Sequence, residues 1–247
     1  ELEAAGIPAE TLVSVAKNAH VITKIHKDED GKDTKIGTTK RGNGPAYRDK
    51  YDRKGVRAED APCLKDYLVD IYEELYEKPD IEILFEGAQG FGLDVDHGDY
   101  PYVTSSHCTT AAALLNGVPP QAVRNVWGVA KIYETYVGAK RFQPDDNVFN
   151  TIQQVGEEFG ATTGRVRQCN WMNVDTLKKA IRMNGVTDLV FNKMDVLQNV
   201  GEWKFYSNNK LIEFENEDQV KSWITSHMSF SSPQLNNIYF SGDKDRI

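Results

Sequence analysis

Apolar positions along the chain alternate between helical spacings and short continuous runs. Leu64, Tyr67, Leu68, Ile71 and Leu75 fall at helical spacing, which predicts a helix from Pro62, suited to a first turn, to Glu77, with Pro79 as its stop. The run Ile81, Ile83, Leu84, Phe85 then predicts a buried strand. Upstream, the pattern predicts a helix near residues 9–17, a short strand over 21–25 and a charged, glycine-containing loop over 26–35. Downstream it predicts a small-residue helix over 109–115 ending at Gly117, and a strand within 123–133. A helix capped by Asn173 and stopped by Gly185 follows, then a strand over 186–191. A last helix near 218–227 carries Val220, Trp223 and Ile224 on one face. Strands separated by helices predict an α/β fold with a mostly parallel central sheet flanked by helices.

Composition narrows the class. The 247 residues are 40% hydrophobic and 27% charged, enough for one globular domain spanning residues 1–247. No segment approaches the apolar length of a membrane span, and Glu1-Leu-Glu-Ala-Ala is not a signal peptide. A net charge of −8 argues against a general nucleic-acid or membrane-surface binder, so any anion site has to be local. Cys63, Cys108 and Cys169 are odd in number and widely spaced, which suggests neither a disulfide framework nor a zinc site. A reducing cytoplasm is the expected compartment.

The densest chemistry follows the strand expected at 81–85. There Gly87, Gly90 and Gly92 let backbone N–H groups approach a ligand, and Gln89, Asp94, Asp96, His97, Thr104, Ser105 and Ser106 crowd in. This suits an anionic ligand, against the plainer alternative of a structural turn. His97 is not promoted to a general acid, because turn histidines are commonly structural or solvated.

Three further segments carry candidate sites. Asn192-Lys193-Met194-Asp195 follows the apolar strand Leu189-Val190-Phe191, where open α/β sheets place ligands. A carboxylate at Asp195 can accept two N–H groups of a guanine edge while the Lys193 stem covers the ring; the alternative is an ordinary polar loop. Gly160-Ala-Thr162-Thr163-Gly164-Arg165-Val-Arg167 sets two arginines two residues apart. In extended chain both can face one carboxylate, and the alternative is a solvated basic turn. Gly37-Thr38-Thr39-Lys40-Arg41-Gly42 can present hydroxyls and amides to a phosphate. Arg53 on its own residues reads as a surface charge.

These segments together resemble one family, adenylosuccinate synthetase. The resemblance rests on Phe85-Glu-Gly-Ala-Gln-Gly90, Asp96-His-Gly-x-Tyr-Pro-Tyr-Val-Thr-Ser-Ser106, Ile36-Gly-Thr-Thr-x-Arg-Gly-x-Gly-Pro-Ala-Tyr47, Gly160-Ala-Thr-Thr-Gly-Arg165-x-Arg167, Asn184-Gly-Val-Thr187 and Asn192-Lys-Met-Asp195, in family order over about residues 1 to 205. It implies a P-loop-NTPase-like fold and a ligase joining IMP to L-aspartate at the expense of GTP, with Mg²⁺ arriving on the triphosphate. It implies that Gln89 orients the purine 6-oxygen, and that Thr39 and Thr104 hold the monophosphate. Arg53 would complete the site of a neighbouring subunit in a homodimer. Thr162, Thr163, Gly164, Arg165 and Arg167 would hold aspartate. Arg167, Lys193, Asp195, Ser241 and Gly242 would hold the guanine nucleotide.

Departures accompany the resemblance. The family's N-terminal Gly-Asp-Glu-Gly-Lys-Gly-Lys loop and its catalytic histidine have no counterpart, so a front segment is expected to be missing and the isolated chain to be inactive or nearly so. The segment expected to close over substrate reads Val137-Gly-Ala-Lys-Arg-Phe-Gln-Pro-Asp-Asp146, and Val166 and Gln168 replace a proline and an arginine. A C-terminal Ser-x-Gly-Pro-x-Arg element is echoed without its proline in Ser241-Gly242-Asp243-Lys244-Asp245-Arg246. These leave open a variant ligase that uses dGMP, with ATP as the alternative triphosphate, and a non-catalytic nucleotide-binding paralogue.

Overall fold

Among the described residues, strand pairing before residue 120 is a single two-residue ladder, and after it fills two larger sheets. The computed structural model describes residues 3–8, 12–160, 164–232 and 234–243. It divides into two compact units, Glu1–Pro120 and Gln121–Ile247.

In the first unit β1 (Val15–Ala16) pairs in parallel with β2 (Leu68–Val69). This pairing overrides two expectations. Of the helix expected over 9–17, residues 9–11 lie outside the described residues and Val15–Ala16 is strand. The helix expected over 62–77 is cut into a 3₁₀ turn at Pro62–Tyr67, β2, and a single π-helical turn at Glu73–Glu77. The strand expected over 21–25 is instead the entry to α1 (Lys24–Asp30). Thr23 accepts the His26 N–H and donates its own N–H to His26 Nδ1 at 3.0 Å, a capping box that outweighs the β-branched bias of Val21 and Ile22. α2 (Asn43–Tyr51) and α3 (Ala111–Leu115) complete the unit.

The apolar run at 81–85 forms no strand. It is irregular and exposed, with Leu84 92% exposed. A strand needs a partner for its N–H and C=O groups, and none of the described strands lies beside this run.

In the second unit β3 (Trp127–Lys131) passes through the buried Ile132 into β4 (Tyr133–Tyr136), so the chain changes sheet at one residue. α4 (Asn147–Val155), β5 (Gln168–Asn173), α5 (Val174–Asn184) and β6 (Asp188–Asn192) follow. Then come α6 (Met194–Val200), the hairpin of β7 (Trp203–Ser207) and β8 (Lys210–Phe214), α7 (Glu217–Ser231) and β9 (Asn237–Phe240). β3, β6 and β9 form an all-parallel sheet with β6 in the middle, while the other sheet runs β4-β5-β7-β8. The parallel majority matches expectation, but the strands are distributed over three sheets rather than one.

The core belongs to this unit. Phe149, Ile152, Trp171, Ile181, Leu189, Phe191, Leu197, Phe205 and Ile224 are buried together. β6 is covered on both faces, which its continuous run Leu189-Val190-Phe191 permits. Its one buried acid, Asp188, is satisfied by Asn237 Nδ2 at 2.7 Å and the Thr187 hydroxyl at 2.8 Å.

Candidate functional site

The first unit builds its part from two acid-braced loops. Asp33 accepts the backbone N–H groups of Gly37 at 2.9 Å and Ile36 at 3.1 Å, folding the chain into the segment that carries Thr39. Gly42 closes this segment in the left-handed region at φ 86°, where its N–H reaches the buried Asp30 carboxylate at 2.8 Å. A side-chain carbon at Gly42 would lie 2.9 Å from the Lys27 nitrogen and Ile22 Cγ2, so only glycine fits.

Asp94 is fully buried and braces the second loop. Its carboxylate accepts N–H groups from Asp96 and His97 at 3.0 Å each and from Cys108 at 2.6 Å. Burial pushes this carboxyl up, but the backbone donors of Cys108, Asp96 and His97 outweigh it and hold it below the ordinary carboxylate range. Thr104 is fixed by its N–H on the Leu93 carbonyl at 2.8 Å. The two loops meet where Gly44, at the start of α2, faces the Ser105 hydroxyl. A cleft of about 520 Å³ opens there, lined by Ile36, Gly44, Tyr47, Thr104, Ser105 and His107 among others.

Gln89 and Arg53 stand apart from that lining. Both are exposed and both hold positive φ, 60° and 61°. Arg53 ends the turn after α2, with its N–H on the Lys50 carbonyl at 3.1 Å, and has no carboxylate partner among the described residues. His97 packs over the Phe91 ring at 6.4 Å between centroids, in keeping with a structural role.

The second unit gathers its candidates at the carboxyl ends of the parallel strands. Lys131 ends β3 opposite Asn192, which ends β6. Lys193 then turns the chain at φ 64° into α6, with Asp195 in the first turn. Ser241 follows β9, donates its N–H to the Phe191 carbonyl at 2.8 Å and accepts the Met194 N–H at 3.2 Å. Gly242 lies so close that a side-chain carbon there would sit 3.3 Å from the Asp195 nitrogen. Lys193, Asp195, Ser241 and Gly242, expected to act together, are therefore adjacent. The Asn192 Oδ1 beside them is buried with no partner among the described residues.

The arginine loop is pinched at its base by a bridge between Phe159 and Val166, and the Gly160 N–H donates to the Arg165 carbonyl at 2.8 Å. Thr162 and Thr163 lie outside the described residues. Gly164 turns at φ 63°. Arg167 donates through Nη1 to Glu158 at 2.8 Å. That carboxylate is 1% exposed and also takes Lys131 Nζ at 2.7 Å to each oxygen and the Tyr133 hydroxyl at 2.6 Å. Burial works to raise the Glu158 carboxyl, yet hydrogen bonds from Lys131, Tyr133 and Arg167 hold it below its ordinary range. Lys193 joins the same turn through its ammonium on the Gly156 carbonyl at 3.0 Å.

Sequence reasoning missed Glu158, Lys131 and Asp94 as organisers. Glu158 stands in a Glu-Glu pair that reads as surface, and only the neighbouring arginine loop hints at an anionic counterpart. Within the segment at 137–146, Gln168 Oε1 accepts from Phe142 and Gln143 N–H at 2.8 and 3.2 Å, and Gln143 Oε1 accepts from Cys169 N–H at 2.9 Å.

For a divalent cation, Asp94, Asp96 and His107 are the one group of potential ligands gathered within 4.8 Å among the described residues. They do not fit Mg²⁺. Asp94 spends its oxygens on three N–H groups, and Mg²⁺ demands oxygen donors in octahedral array rather than imidazole.

Comparison with known proteins bears on this arrangement. The family model for adenylosuccinate synthetase matches residues 1–65 and 61–227. The adenylosuccinate synthetase of Nitratidesulfovibrio vulgaris is 36% identical over 79% of this chain and 58% of its own length. That of Chlorobium phaeobacteroides is 33% identical over 94% of this chain and 65% of its own length. The chain thus spans about three fifths of the length of the curated relatives it matches. In fold it is similar to fully ligated adenylosuccinate synthetase from Plasmodium falciparum, with TM-score 0.84 at 22% identity over 98% of this chain and 78% of that one. It is similar to a lesser degree to the cyanophage S-2L succinoaminodeoxyadenylate synthetase bound to dGMP and dATP, with TM-score 0.63 at 21% identity over 90% of this chain and 75% of that one. Among the described residues no helix is long and apolar enough to cross a membrane.

Proposed function

The chain belongs to the adenylosuccinate synthetase family, and from that membership we propose that it serves the condensation of IMP with L-aspartate, driven by GTP. The chemistry overcomes a poor leaving group. Loss of the ring proton makes the 6-oxygen a nucleophile, the γ-phosphoryl of GTP moves onto it, and GDP leaves. The amino group of aspartate then attacks C6 and phosphate departs, giving adenylosuccinate. Such phosphoryl chemistry depends chiefly on positioning and on charge stabilisation.

Each candidate takes a part in this reading. The Gln89 amide donates to the 6-oxygen, while the Thr39 and Thr104 hydroxyls and Arg53 from a second copy of the chain hold the monophosphate, which makes a homodimer the working form. Thr162, Thr163, Gly164, Arg165 and Arg167 take the carboxylates of aspartate. Asp195 accepts N–H groups of the guanine edge beneath the Lys193 stem, with Ser241 and Gly242 against the same base and Arg167 toward the nucleotide. Mg²⁺ enters with the triphosphate.

The observation that carries the proposal is the hydrogen bond from Met194 N–H to the Ser241 carbonyl at 3.2 Å. It joins the two distant segments that the family resemblance assigns to one base. The test is the rate of IMP amination with aspartate, GTP and Mg²⁺ by the chain joined to a family N-terminal phosphate-loop segment, and by the Arg165→Leu and Gln89→Ala variants of that joined protein. Gln89→Ala should lower the rate by about 10²- to 10³-fold, as removal of one preorganised donor does. Turnover of dGMP in place of IMP would transfer the assignment to the variant ligase. Nucleotide binding without turnover of either substrate would refute the ligase proposal.

A further inference from the structure

The turn after α4 draws cations from three separate elements. Its Gly156 carbonyl holds the Lys193 ammonium, and its Glu158 carboxylate holds Lys131 from the end of β3 and Arg167 from the start of the β5 approach. The backbone repeats the connection, with the Arg167 N–H on the Glu158 carbonyl at 2.9 Å and the Glu158 N–H on the Gln153 carbonyl at 2.9 Å. Glu157 enters this turn in the left-handed region at φ 50°.

Four donor contacts on one buried carboxylate leave it no free lone pair for proton abstraction or metal binding. Its charge is the fixed element and the cations are arranged around it. Two cations against one carboxylate leave a local excess of positive charge, which an anionic ligand would balance. Arg167 spends only Nη1 on Glu158 and its side chain is 31% exposed, so its other N–H donors are available to such a ligand.

We propose that Glu158 is a positioning residue, whose carboxylate fixes the Arg167 guanidinium, ready for an anionic nucleotide at the carboxyl edge of the β3–β6–β9 sheet. The ligand class rests on the proposed function, whereas the fixing of Arg167 does not. An immobilised guanidinium loses less side-chain freedom when a ligand binds, and that is the source of the gain in affinity.

The test reads the two parts separately. In side-chain ¹⁵N spectra of the ligand-free protein, Arg167, identified by its loss in Arg167→Lys, should show resolved, slowly exchanging Nη signals. Glu158→Gln should collapse them to the averaged position of a mobile arginine. Unchanged signals would overturn the proposal. Should Glu158→Gln not fold, Glu158→Asp, with the charge kept and the reach one methylene shorter, should give a partial collapse, and an unaltered spectrum again overturns it. In calorimetry with GDP as probe, Glu158→Gln should weaken binding about tenfold, about 1.4 kcal/mol. The Glu158→Gln/Arg167→Ala double variant should bind no more weakly than Arg167→Ala alone, and fully additive losses would mean that Glu158 does not act through Arg167. If the unaltered protein binds no GDP, the nucleotide assignment fails, while the spectra still decide whether Glu158 fixes Arg167.

Discussion

The Asp94 carboxylate accepts the Cys108 backbone N–H at 2.6 Å, closing a loop of chain whose other donors to the same carboxylate are Asp96 and His97. Asp94→Asn keeps the shape but replaces one acceptor oxygen with an NH₂ group. It should cost about 1–3 kcal/mol, the penalty for leaving a buried donor unpaired. The depressed carboxyl also sets a pH dependence. Its stabilisation is complete above the ordinary carboxylate pKa of the unfolded chain and is lost as pH falls through the lower folded value. Urea midpoints measured from neutral to acid pH should therefore fall less steeply in Asp94→Asn. A variant as stable as the parent at neutral pH would contradict this role.

Within the same loop Gly98 has no room for a side chain. A carbon there would lie 2.6 Å from the carbonyl oxygens of both Asp94 and Gly92, neither of which can swing aside. Gly98→Ala should cost about 1–3 kcal/mol, the usual range for overpacking. Gly92→Ala meets nothing within 4 Å and should stay within about 0.5 kcal/mol of the parent. The contrast between the two urea curves is the measurement, since equal effects would mean that the loop is not packed in this way.

The three thiols should react in an order set by exposure. Cys63 is exposed, the Cys108 thiol is pushed up to about 11 by burial and by the Asp94 charge, and the Cys169 thiol is pushed up to about 12, chiefly by burial. A disulfide reagent at pH 8 should modify Cys63 promptly and Cys108 slowly, and should reach Cys169 only after unfolding. Peptide mapping of the labelled cysteines gives the order directly, and early labelling of Cys169 would show that the β4–β5 core is open.

The sequence was most legible where local chemistry and tertiary packing agree. Asn173 caps α5 through Oδ1 on the Asp175 and Thr176 N–H groups, and Gly185 ends it at φ 64°, both as the residue types demand. The apolar run before Asn192 is the buried middle strand for the same reason. Legibility failed where pairing is decided far away. Val15–Ala16 and Leu68–Val69 become strand because of each other, and the run at 81–85 lacks a partner strand among the described residues. The site divides in the same manner. Asp195 and Ser241 carry their chemistry in local motifs, whereas the importance of Glu158 arises only when Lys131, Tyr133 and Arg167 converge on it from positions up to 27 residues away.

Gln168, which departs from the family pattern, carries a contact set that a smaller residue cannot replace. Its Oε1 accepts the Phe142 and Gln143 N–H groups and its Nε2 donates to the Lys140 carbonyl at 2.8 Å, so one amide fastens the 140–143 segment to β5. Gln168→Ala should leave β5 in place, since the strand's ladder to β4 is backbone. Stability should fall by about 1–3 kcal/mol through the abandoned donors. Hydrogen exchange is the discriminating readout: the Phe142 and Gln143 amides should lose protection well before those of Cys169 and Trp171. Gln168→Glu keeps the acceptor and loses only the donor to Lys140, so it should retain most of that protection. If Gln168→Ala leaves both amides protected, the segment is held by Asn170 Nδ2 on the Phe142 carbonyl and by the Gln143 side chain on Cys169 instead, and the departure at 168 carries no structural weight.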